Sequence, residues 1–116
     1  MQKLTDAASA IAVRNKNPAY YGVSPRDYLD LGHFSIAADK LGVKSTAIKK
    51  GKLSQGACLE LSGNNNYEVL VDGIGQVLLG KIEADGNRVR LCVGSTGTEQ
   101  WNRMLGVLRN AEGRAA

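Results

Sequence analysis

The densest group of functional side chains in the sequence is cationic. Lys40, Lys44, Lys49, Lys50 and Lys52 follow one another with no acidic residue after Asp39, and Ser45 and Thr46 lie among them. Short hydroxyls and long cations in one segment suit contacts with phosphates and base edges. Residues 1–53 carry nine lysines and arginines against four aspartates, whereas residues 54–116 carry six against seven acidic residues. The net charge of +4 therefore arises in the first half of the chain.

Other chemistries are poorly supplied. His33 is the only histidine, and the two cysteines, Cys58 and Cys92, sit inside apolar runs where buried thiols are expected. Glu60, Glu68, Asp72, Glu83 and Asp85 are spread over strands and turns without an evident pairing. Gly73 and Gly75 lie in a turn between strands and Gly80 within the next strand, so a dinucleotide fingerprint has no helix to follow it. The sequence thus argues against an enzyme, and no metal or cofactor is expected. No apolar run reaches the roughly 18 residues of a membrane span. Thr5, Asp6 and Ser9 interrupt the start of the chain, so no secretory signal is read and a cytoplasmic setting is expected.

These residues need a scaffold to position them. A chain of 116 residues, 43% hydrophobic and 22% charged, suits one small domain over residues 1–116. Leu4, Ala7, Ala8, Ile11 and Ala12 recur at helical spacing and predict a first helix over 3–14. Ser24 and Pro25 start a second helix, which Gly32 is expected to end. Phe34–Leu41 reads as a third helix, Gly42 as a break, and Val43–Lys50 as a fourth. Beyond Gly51 the apolar period changes from helical to alternating. Ala57–Leu61, Tyr67–Val71, Gln76–Ala84 and Arg88–Val93 read as a four-stranded antiparallel meander within 54–96. Asp85-Gly86 is its strongest hairpin signal, and Gly80 marks a candidate bulge. Val89, Leu91 and Val93 are expected on one face of the last strand. Trp101, Met104, Leu105 and Leu108 form the stripe of a final helix over 97–110, and Glu112–Ala116 are expected to fray. The predicted class is α+β, with a helical half over 1–53 and a sheet closed by a C-terminal helix.

The spacing within Phe34–Gly51 suggests a particular use. Ala38 is small where two steeply crossing helices would meet, Gly42 permits a tight turn, and Val43 and Ile48 would close the small core. The stretch AADKLGVKSTAIKK resembles the helix-turn-helix of prokaryotic DNA-binding proteins, in particular Cro-like phage repressors. SPRDYLDLG lies where that family's supporting helix lies, so the likeness spans residues 24–53. The sheet half is longer than the dimerisation strands of that family, and residues 1–23 are additional.

The resemblance implies a helix-turn-helix at 34–51 with recognition helix 44–50 in the major groove. Ser45, Thr46, Lys49 and Lys50 match the base-reading positions, and Lys44, Lys52 and Lys40 would touch phosphate. It implies a sequence-specific transcriptional regulator of the type that phages and plasmids carry, binding double-stranded DNA as a homodimer. A second reading is a non-enzymatic protein-interaction module whose lysine cluster meets an acidic partner, as in a phage-encoded inhibitor or small assembly protein. Salt dependence separates the two, because each phosphate contact adds about −0.9 to the slope of log affinity against log salt.

Overall fold

The computed structural model describes residues 22–50 and 56–113. The helix expected over 3–14, and Lys52, lie outside the described residues. The first element is helix α1, Pro25–Lys40. Its start follows from local chemistry. The Ser24 hydroxyl accepts the backbone N–H of Asp27 at 3.1 Å, Pro25 occupies the first turn, and Asp27 faces the positive helix end.

Gly32 does not end this helix. It sits buried inside a single run of sixteen residues that absorbs the expected second and third helices. A lone glycine costs a helix about 1 kcal/mol, whereas each large apolar side chain buried contributes about 1.5–3 kcal/mol. Tyr28, Leu31, Phe34 and Ala38 are all buried along this helix, so packing outweighs the glycine.

Gly42 does turn the chain, but out of helix altogether. At φ +86° it follows the C-cap residue Leu41. The N–H of Gly42 bonds the carbonyl of Asp39 and the N–H of Val43 bonds that of Ala38, the paired bonds of a Schellman cap. The next residues are strands, β1 (Lys44–Ser45) and β2 (Lys49–Lys50), not the expected helix over Val43–Lys50. No helix-turn-helix forms at 34–51, there is no recognition helix at 44–50, and the first half is not wholly helical. A glycine with positive φ serves a helical turn and a helix exit equally well. What decides here is an unpaired neighbour, since β3 offers a free backbone edge to residues 44–50.

The sheet has six antiparallel strands, not four. β3 (Ala57–Ser62), β4 (Asn66–Val71), β5 (Gln76–Ile82) and β6 (Arg88–Ser95) run as a meander, and β1 and β2 both pair with the outer side of β3. Lys44 and Ser45 oppose Ser62 and Leu61, while Lys49 and Lys50 oppose Cys58 and Ala57. The pairing thus slips by one residue between them. Helix α2, Thr98–Ala111, closes the chain.

One face of the sheet carries the core. Leu59, Leu61, Tyr67, Val69, Val71, Val77 and Leu79 pack with Tyr28, Leu31 and Phe34 of α1 and Trp101, Met104 and Leu108 of α2. The rings of Phe34 and Trp101 lie 5.7 Å apart at 49° and join the two helices. The end of α2 is not frayed at Glu112. That residue is 4% exposed, and its carboxylate accepts the N–H groups of Asn64 and Asn65 at 2.9 and 3.1 Å and the Tyr67 hydroxyl at 2.7 Å. Burial, and then the hydrogen bond to Glu112, push the Tyr67 hydroxyl up to about 12.

Candidate functional site

The cationic segment forms one edge of the sheet. Lys40 is exposed in the last turn of α1. Lys44, exposed in β1, places its Nζ 3.1 Å from Asp39 Oδ1. The half-buried Ser45 hydroxyl bonds that of Ser35 on α1. Thr46 lies between the two short strands, where its N–H donates to the Glu60 carbonyl and its hydroxyl accepts the Glu60 N–H. Lys49 pairs with Glu60 at 3.0 Å, and this hydrogen bond holds the lysine above its ordinary pKa. Lys50 is exposed. Lys44, Ser45 and Thr46 do meet, on the wall of a shallow pocket of about 300 Å³ with Glu60 and Tyr67. They do not share a helix face, because no helix is there.

The sheet face away from the helices is organised in rows. Lys49, Cys58, Leu70, Leu78 and Val93 are successive cross-strand neighbours. A second row holds Glu60, Glu68, Gly80 and Arg90. Glu68, almost fully buried, receives the Arg88 Nε at 2.8 Å. Glu68 is on β4 and Arg88 on β6, so this ion pair spans β5. It passes the one position on β5 without a side chain, Gly80, whose site for a Cβ lies 3.8 Å from Glu68 Cγ. The bulge also falls here, with the register shifting between Leu79 and Gly80.

No protein-family model, no curated protein and no solved structure matches the chain. The site must be read from its own geometry. Among the described residues no three of His, Cys, Asp or Glu gather in a metal-ligating group. His33 lines a groove of about 310 Å³ between the helices, together with Phe34 and Trp101. No described helix is long and apolar enough to cross a membrane.

The feature that stands out is β6. Among the described residues it is the longest strand, eight residues, and it pairs on one side only. Val89 and Val93 are 44% and 45% exposed, and Ile74 is the only other large hydrophobic so exposed among the described residues. The two valines are not on one face as the alternation suggested. Val89 opposes Lys81 and Val93 opposes Leu78, three residues apart on β5, because the bulge inserts one residue between them.

Sequence reasoning passed over Glu112 and the Arg88–Glu68 pair. Glu112 carried no local signal, since its partners are 45 to 48 residues away. Glu68 and Arg88 are separated by 20 residues, and only the full meander reveals that they face each other. The glycine at 80 was a usable sign that something crosses β5 there.

Proposed function

We propose that this protein is a non-enzymatic interaction module that takes up a partner chain by strand addition along β6. The observation that supports the reading is a long strand with one neighbour among the described residues, carrying exposed valines on both faces. Such an edge offers unpaired N–H and C=O groups to an extended segment, and side chains at alternate positions give it selectivity. The lysine-rich edge is less suited to this role. It is split into two strands of two residues, it is bulged, and Lys44 and Lys49 already have acidic partners.

A random-peptide display selection against the full chain tests the reading. Peptides of extended, β-branched character should be enriched and should bind the Val93→Lys variant at least about tenfold more weakly. Enriched peptides indifferent to that substitution, or no enrichment, would overturn it. A second reading keeps duplex DNA as the partner, held through phosphates alone. It is carried by Lys40 and Lys50, exposed cations for which no ion pair forms among the described residues. It expects affinity for random duplex that falls steeply with salt and is lost in a Lys40→Glu, Lys50→Glu double variant.

A further inference from the structure

We infer that the strand added along β6 is the β6 of a second copy of this chain, antiparallel, with the two-fold axis at Val93. This rests on the reading of β6 as the docking edge and names its occupant.

The strand divides into two unlike halves. Its first residues are guarded, because Arg88 and Arg90 are charged and the bulge lies beside them. Charges and bulges keep sheet edges from pairing. Its second half, Cys92–Ser95, carries no charge and no proline and lies beyond the bulge, whose extra residue is Leu91. Val93 lies within that stretch and is 45% exposed. Parallel, in-register pairing of two copies would set Arg88 on Arg88 and Arg90 on Arg90. Antiparallel pairing about Val93 sets Leu91 beside Ser95 and Cys92 beside Gly94, and brings Arg90 opposite Thr96 of the other copy. No like charges then face each other, and the two exposed valines pack together at the axis. The contact is isologous, so it closes as a dimer and leaves no further β6 edge for growth. A two-fold axis normal to the sheet also puts both α2 helices on the same side.

The full chain should sediment as a dimer, and Val93→Lys should be a monomer at the same concentration, with unchanged far-ultraviolet circular dichroism. Lysines directly opposed at the axis should weaken association by about 100-fold. A second variant tests the register without relying on loss. In a Cys58→Ser, Cys92→Ser background, Val93→Cys should form a disulfide-linked dimer on mild oxidation. Residues directly opposed in an antiparallel pair have Cα atoms about 4.5–5.5 Å apart, within disulfide reach. Val89→Cys, equally exposed, should cross-link at least about tenfold more slowly, because the two residues 89 would be more than about 20 Å apart. A wild-type monomer at all concentrations would overturn the self-pairing, and peptides selected on β6 would still uphold the docking edge. A dimer that survives Val93→Lys, or equal cross-linking at 89 and 93, would place the interface elsewhere and overturn the inference as well.

Discussion

The two edges of the sheet are built on opposite principles. The edge at residues 44–50 is short, interrupted and charged, and Lys44 and Lys49 are drawn back onto the protein by Asp39 and Glu60. The edge at β6 is continuous for eight residues, and its charge is confined to one end. Among the described residues each edge pairs on one side only, so the difference lies in how each is defended. A cationic cluster draws the eye in a sequence, yet here it marks the guarded edge. The other edge is marked only by two valines that are exposed among the described residues.

The contrast can be broken or sharpened by substitution. The largest effect is expected from Val93→Lys, which should abolish self-association as measured by sedimentation velocity while leaving the far-ultraviolet circular dichroism unchanged. Next comes Glu112→Ala. It strips the acceptor from Tyr67, Asn64 and Asn65 and should lower stability by about 3 kcal/mol in urea unfolding, because buried donors are left unmatched. The dimer should persist below the transition, which separates fold from interface. Arg88→Met leaves the buried Glu68 carboxylate without its ion-pair partner and should cost about 2 kcal/mol by the same assay.

A pH effect follows at Tyr67. Its folded value, about 12, lies above the unfolded 10.0. The stability it contributes is therefore complete below pH 10.0 and is lost as pH rises toward about 12. Tyr67→Phe should flatten that alkaline decline in a series of denaturation curves. The smallest effect is expected from Lys49→Met, since an exposed ion pair adds little. Neither the unfolding midpoint nor the oligomeric state should move.

Much of the second half of the fold was legible in the sequence. Alternation and the Asp85-Gly86 turn locate the strands from 57 to 95, and the Trp101 stripe locates α2. The error lay at residues 32–50, where local signals were ambiguous. Gly32 looked like a stop and was overridden by the burial of Tyr28, Leu31 and Phe34. Gly42 permits either a helical turn or a helix exit. The choice was made by β3, a strand more than ten residues away, which no local pattern in KSTAIKK announces. The candidate site suffered in the same way. Lys44, Ser45, Thr46, Lys49 and Lys50 were singled out for a helix face and stand instead on a broken edge strand. Val89 and Val93 were visible as apolar residues, but their exposure depends on β6 being last in the sheet, and their separation onto two faces depends on a bulge.

Backbone amide hydrogen exchange followed against protein concentration reads both edges in one experiment. Protection at Leu91–Ser95 should rise with concentration while protection at residues 44–50 stays constant. Protection that rises at 44–50 instead, or at neither edge, would contradict the self-pairing of β6.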